Sequence, residues 1–329
     1  MKTKLWKWIG LCIGSCIFVG ILTLLVSQNT IEKPVDNDYQ QAFQNAYRLY
    51  SPPIPEKLTF CGENVPLDNY DVREALDREL LVNTYWQSNL ILLCKRAYRY
   101  FPIIEPILQE NNIPDDMKYL AVIESGLMNV VSPAKAAGFW QFMKETGIAY
   151  GLEINDEVDQ RYDLSLATKA ACIYLKKSYQ QHSSWAAAAA AYNMGDGGYK
   201  RAVSTQKNNN YWDLQLNNET ARYVYRILAI KIIFNDLQRY GIHLRLTDLY
   251  QPIPTDYVTI NTPITNWVDF ALQHNISYKQ LVNFNPWIRS FKLTNKLGKT
   301  YQIAIPKKEY LNYTEQRKNI DKQSLIKDL

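Results

Sequence analysis

Few side chains in this sequence combine a reactive type with an informative position. The three histidines, His182, His243 and His274, stand far apart. No His-Glu-x-x-His pair and no Gly-x-Ser-x-Gly turn occurs, which argues against zinc peptidase and serine hydrolase chemistry. Gly195-Asp196-Gly197-Gly198 lacks the Gly-Lys-Ser/Thr that completes a phosphate loop. Of the five cysteines, Cys12 and Cys16 lie inside an N-terminal apolar segment, and Cys61, Cys94 and Cys172 show no paired metal-ligand spacing. The carboxylates remain. Glu124 is the notable one. Met117, Leu120 and Ala121 recur at helical spacing, and Glu124 continues their stripe. A carboxylate on an apolar stripe is costly to ionise, so its pKa should rise toward the range of a general acid working near neutrality. The competing reading is a helix-end glutamate that leans out to solvent. Glycosidases that use two carboxylates hold them about 5–10 Å apart. The stretch Ser125–Lys144 contains no acid, so Glu124 lacks a local partner, although Glu219 could be brought up from elsewhere.

The elements that must position Glu124 can be read outward from it. Pro114, Asp115 and Asp116 suit a helix start, Gly126 suits its end, and Ser132-Pro133 opens a turn. Upstream, residues 71–100 read as helical through Val72, Leu76 and Leu80, then Leu90, Leu93 and Ala97; Pro102 and Pro106 are taken to open a separate short helix. Downstream, a charged loop with Asp159, Arg161 and Asp163 leads to a helix over residues 164–181. Trp185 and six consecutive alanines, Ala186 to Ala191, read as a tightly packed central helix ending in Tyr192-Asn193. A further helix starts at Asn217-Asn218-Glu219-Thr220 and continues through Tyr223, Val224 and Ile227. Pro252 and Pro254 mark a boundary. Beyond it the order is strand, helix, helix, strand, closing at residues 301–306.

These residues, taken in order, resemble the lysozyme-like lytic transglycosylases, which cut the glycan strands of bacterial peptidoglycan. The likeness rests on Glu124-Ser125, Ser132-Pro133, Ala137-Gly138, Gln141, Thr146-Gly147, Tyr150-Gly151-Leu152, the Asp-x-Arg-x-Asp of residues 159–163, Ala191-Tyr192-Asn193 and Glu219-Thr220 with Tyr223-Val224. The membrane-bound type D branch, in which LysM modules follow the catalytic domain, is the most similar. The last module resembles a LysM unit by its Asn285-Pro286 and Ile305-Pro306, but Thr262-Pro263-Ile264-Thr265 stands where Gly-Asp-Thr is usual. The resemblance implies Glu124 as the single catalytic acid and base, Ser132, Gln141, Tyr192, Asn193, Glu219 and Tyr223 as substrate-binding residues, and no cofactor or metal. Ser132 could equally be only the turn residue before Pro133. The implied fold is mainly α: a lysozyme-like all-helical catalytic domain followed by a small α+β module of LysM-like βααβ order. A hydrolytic muramidase on the same scaffold, or a wall-binding scaffold without catalysis, are the alternatives.

Composition is compatible with this. The chain has 329 residues, 47% of them hydrophobic and 21% charged, so bulk disorder is not expected. Its net charge of +5 suits an anionic wall polymer but is too small and scattered for nucleic acid. Lys2, Lys4 and Lys7 flank an apolar run over residues 5–26, long enough to span a bilayer with the rest of the chain outside the cytoplasm. A retained anchor is favoured over a cleaved signal peptide, because the run is long and Val26-Ser27-Gln28 is a poor cleavage site. The expected organisation is an anchor or signal peptide at 1–28, a linker at 29–69, a catalytic domain at 70–250, a LysM-like module at 255–308 and a charged, frayed tail at 309–329. The expected setting is the cell envelope, as a monomer whose partners are peptidoglycan strands and the membrane. A Cys61–Cys94 disulfide would suit an exported chain, and Cys172 reads as a buried thiol. No catalytic motif lies beyond residue 257, so the module should be dispensable for cleaving short glycans.

Overall fold

The computed structural model describes residues 41, 45, 49–318, 320 and 325–329. It forms two units, residues 1–51 and 52–329. In the first, Gln41 and Asn45 are helical. The apolar run over residues 5–26, with Cys12 and Cys16, lies outside the described residues. Among those described, no helix is long and apolar enough to cross a membrane.

The second unit begins with a small antiparallel hairpin, β1 (Thr59–Phe60) and β2 (Glu63–Asn64). Eight helices follow: α1 (Tyr70–Tyr85), α2 (Gln87–Glu110), α3 (Lys118–Ser125), α4 (Lys144–Ala149), α5 (Leu164–His182), α6 (Trp185–Met194), α7 (Asp196–Gln206) and α8 (Asn218–Asn235). The last part is β3 (Thr255–Ile260), α9 (Trp267–Gln273), α10 (Tyr278–Phe284), β4 (Tyr301–Pro306) and the short α11 (Tyr313–Gln316). The fold is thus mainly helical with one small two-stranded sheet near its C-terminal end.

The alanine helix lies at the centre. Ser184 caps its start by accepting the Ala187 N–H, and Glu63 in the lead-in hairpin accepts the Trp185 N–H at 2.7 Å and the Ser184 hydroxyl at 2.9 Å. All six alanines of α6 are buried, at most 1% exposed. Their methyl groups let α5, α7 and α8 pack closely against the helix.

The prolines of α2 correct the expectation of a break. Pro102 and Pro106 lie inside one continuous helix, and the only interruption is at Trp86, between α1 and α2. Each proline removes a helical N–H donor. Phe101, Ile104, Ile107 and Leu108 are buried on either side of them, and that apolar burial offsets the missing bonds. Cys61 and Cys94 are free thiols, so the expected disulfide is not formed. Cys61 sits in the β1–β2 turn, where its N–H is held by Asp116, while Cys94 and Cys172 are buried in helices.

In the last part β3 and β4 pair antiparallel, Thr255 opposite Pro306 and Ile260 opposite Tyr301. Asn285 explains the Asn-Pro signature. Its buried amide donates to Ala304 O and accepts the Ala304 N–H, both at 2.8 Å, so it fastens the end of α10 to β4. The expectation of a frayed end fails for residues 325–329. Ile326 and Leu329 donate their N–H groups to Leu244 O and Phe234 O, and Leu237 donates to Lys327 O, all beside the end of α8.

Candidate active site

Glu124 stands on the last turn of α3. Pro114 and a 3₁₀ turn at Asp115–Met117 lead into this helix, and Lys118 is held between Glu105 at 2.6 Å and Asp115 at 2.8 Å. Met117, Leu120 and Ala121 are fully buried, as the stripe requires. Gly126 ends the helix with φ 60°, its N–H bonded to Val122 O. The glutamate is half-buried between α3 and α8. Burial pushes its carboxyl up to about 7. The Tyr223 hydroxyl, which donates to Glu124 Oε1 at 2.5 Å, and the Arg226 charge pull the other way, while the Glu219 charge adds to the rise. The solvent-leaning alternative for Glu124 therefore does not hold.

The partners come from the start of α8. Asn217 caps it by accepting the Thr220 N–H at 3.0 Å. Glu219 and Tyr223 are one turn apart, and so are Tyr223 and Arg226. Arg226 donates to Ile123 O at 3.3 Å, which ties α8 to α3 beside the acid. The end of α6 joins the same group. Asn193 donates to Glu219 Oε1 at 3.2 Å and accepts the Thr220 hydroxyl at 2.7 Å. The neighbouring Tyr192 donates its hydroxyl to Trp140 O at 2.7 Å, and its ring packs edge-on against Trp140, Phe142 and Tyr174. Burial holds that hydroxyl well above its ordinary pKa, so it stays a donor.

The remaining wall is the loop of residues 130–142. Ser132 bonds Ala136 twice, by its N–H to Ala136 O at 2.9 Å and by its hydroxyl oxygen to the Ala136 N–H at 3.0 Å. This is turn work, and it leaves the hydroxyl proton of Ser132 uncommitted to that partner. Gln141 has a left-handed backbone with φ 49°. Its amide nitrogen donates to Gly138 O at 2.7 Å and Val130 O at 3.0 Å, which orients the side chain and leaves its amide oxygen as an acceptor. Non-glycine residues in such a conformation are often found at functional sites. Trp140 is core: it is fully buried, with its indole N–H on Thr168.

The Asp-x-Arg-x-Asp segment backs this loop. Gly138 has φ 81°, and a Cβ there would lie 1.9 Å from Arg161 O. Arg161 pairs with Asp159 through two bonds, at 2.7 and 3.0 Å, and donates to Lys135 O and Phe142 O. Asp163 instead caps α5 through the Leu166 N–H. The structure thus gathers Glu124, Tyr192, Asn193, Glu219 and Tyr223 at the junction of α3, α6 and α8, with Ser132 and Gln141 on the adjoining loop. Sequence reasoning did not single out Arg226. Its signal was its place one turn beyond Tyr223 on the same helix.

Comparison with known proteins adds to this. Residues 101–215 match the transglycosylase SLT domain, and residues 256–309 match the soluble lytic transglycosylase C-terminal LysM-like domain. The chain is 28% identical over 265 residues to membrane-bound lytic murein transglycosylase D of Escherichia coli K12, covering 78% of this chain and 57% of that protein. The protein of the same name from Escherichia coli O6:H1 matches equally. A putative tributyltin chloride resistance protein of an Alteromonas species is 29% identical over 115 residues, 34% of this chain and 56% of that one. The chain spans little more than half the length of these curated relatives. It is built of a transglycosylase SLT domain and a LysM-like C-terminal domain, and is homologous to membrane-bound lytic murein transglycosylase D.

Proposed function

We propose that this chain is a peptidoglycan lytic transglycosylase that cleaves the MurNAc-β-1,4-GlcNAc bond without water, with Glu124 as its single acid and base. The observation that carries the reading is the half-buried Glu124, with its pKa near 7 and the Tyr223 hydroxyl on Oε1. At neutral pH such a group is shared between acid and carboxylate, which suits a residue that must give a proton and then take one back. Because Tyr223 donates to Oε1, the proton of the acid form resides on Oε2. That proton passes to the bridging oxygen as the C1–O bond breaks and N-acetylglucosamine leaves. The carboxylate then accepts the proton of the muramic 6-hydroxyl, whose oxygen closes onto C1 to give a 1,6-anhydro end. Tyr223 stabilises the carboxylate formed between the two steps. Gln141, Asn193, Glu219 and Ser132 offer hydrogen bonds to the sugars, and Tyr192 offers its ring edge.

A hydrolytic muramidase is the second reading, because Glu219 is a carboxylate near enough to raise the Glu124 pKa. Its Oε1 accepts from Asn193, which favours a role in holding that amide. Digestion of peptidoglycan in water enriched in heavy oxygen separates the two. Unlabelled ends, lighter by one water than reducing muropeptides, are expected; labelled reducing ends would establish hydrolysis instead. We assign the protein to the cell envelope, held to a membrane through the apolar run near its N-terminus. Recovery of the full-length chain in the soluble cytoplasmic fraction would overturn that assignment.

A further inference from the structure

The segment between Glu153 and Tyr162 belongs to the SLT match but is built into the LysM-like domain. Val158, 1% exposed, lies in the small core of that domain with Trp267, Ile288 and Leu293. Its neighbours are fastened on both sides. Glu157 accepts the Thr294 N–H and hydroxyl, each at 2.6 Å, and its carbonyl accepts the Arg289 N–H at 3.0 Å. The Asp159 N–H donates to Trp287 O at 2.9 Å. Glu153 takes the Tyr301 hydroxyl and the Lys299 ammonium, both at 3.1 Å.

The other face of the same segment holds the wall of the candidate site. The Asp159 carboxylate grips Arg161, and Arg161 donates to the carbonyls of Lys135 and Phe142 in the loop that carries Gln141. The Arg161 carbonyl fills the place where Gly138 has no side chain. Asp159 therefore has its backbone on one domain and its carboxylate on the clamp of the other.

We propose that residues 153–162 are a positioning strut through which the LysM-like domain holds the Gln141 loop in its working geometry, so that this domain sets the rate of cleavage and not only attachment to the wall. The inference rests on the lytic transglycosylase reading for its effect on rate. It does not rest on it for the mechanical coupling. A domain that merely tethers the enzyme to an insoluble wall leaves turnover of a short soluble glycan untouched. A domain that braces the catalytic wall does not, because small misplacements of positioning groups are costly.

The test uses the full chain and three variants. Val158→Asp places a charge in the small core and detaches it, Val158→Ile keeps that core apolar, and Glu157→Ala removes the Thr294 bonds from a half-buried side chain. Hydrogen exchange is followed at residues 287–294, 135–142 and 186–191, alongside turnover of a short soluble glycan. In Val158→Asp, exchange is expected to rise about tenfold or more in both of the first two stretches and to stay unchanged in the alanine helix. The maximal rate should fall about tenfold or more, with KM moving much less. Val158→Ile should behave as the parent, and Glu157→Ala should shift in the same direction as Val158→Asp. If residues 287–294 loosen while 135–142 keep parental exchange, the strut is refuted, as it is by parental turnover in the detached variant. If Val158→Asp fails to fold, Glu157→Ala decides by the same two readouts. A parental chain that cleaves no glycan would sink the enzymatic reading while the exchange comparison still judged the coupling.

Discussion

Tyr223 and Glu124 are 99 residues apart in the chain, yet the phenol hydroxyl donates to the carboxylate at 2.5 Å. The pair links the end of α3 to the first turns of α8. It opposes the burial that raises the acid, so the carboxyl settles at about 7 rather than higher.

Replacing Tyr223 by Phe removes the one hydroxyl that favours ionised Glu124. The acid pKa should rise, moving the descending limb of the pH–rate profile to higher pH. The maximal rate should drop by about tenfold or more, because the carboxylate formed in mid-reaction loses a donor. A profile unchanged in both position and height would show that the hydroxyl has no part in the chemistry.

Glu124→Gln should lower muropeptide release by about two to four orders of magnitude while the fold persists. It should also stabilise the protein in a defined pH window. The folded-state pKa of Glu124 lies above its unfolded value of about 4.5, so between pH 4.5 and 7 the folded chain holds more protons, and stability falls as pH rises. Above pH 7 the parent carries the full cost of a buried carboxylate, on the order of 3 kcal/mol, which the amide avoids. Melting temperatures of the two proteins should coincide near pH 4 and diverge up to pH 8, with the variant higher. Parallel melting curves across that range would contradict the buried acid.

Gly138→Ala should be among the most damaging single-methyl changes in the chain. A Cβ would fall 1.9 Å from a backbone carbonyl, at φ 81°. The strain of that conformation and the forced shift of residue 161 together should cost about 2–5 kcal/mol. Thermal unfolding measures this directly; a loss below about 0.5 kcal/mol would mean the loop does not pack on Arg161 as described.

What could be read from the sequence follows the range of the interactions involved. The rise in the Glu124 pKa was legible because it depends on local helical spacing with Met117, Leu120 and Ala121. Tyr223 was accessible only through family resemblance, as a substrate-binding residue, and its bond to Glu124 was not foreseen, since no local pattern links positions so far apart. Pro102 and Pro106 misled because proline is a local signal, while the burial that carries α2 across them is tertiary. The docking at residues 153–162 was hidden because Val158, with Ile154 the only other aliphatic residue of that segment, stands in a polar turn-rich stretch without a sustained apolar period. Ile326 and Leu329 were overlooked in a charged tail for the same reason. The Asn285 clamp on β4 was visible as a signature, but its purpose needed the strand to be in place.

The alanine row of α6 has one more consequence. A methyl group has no rotamer to change, so this helix cannot absorb a neighbour's displacement by rearranging its own side chains. It can answer only by sliding as a rod. Tyr192 and Asn193 ride on its C-terminal end, where they bond Trp140 and Glu219, so a shift of this helix should carry directly to those partners. Random mutagenesis should therefore find residues 186–191 nearly as intolerant of change as Glu124 itself, though none of them belongs to the candidate site. Even a valine there would act at a distance, as a wedge that shifts Tyr192 and Asn193 against Trp140 and Glu219.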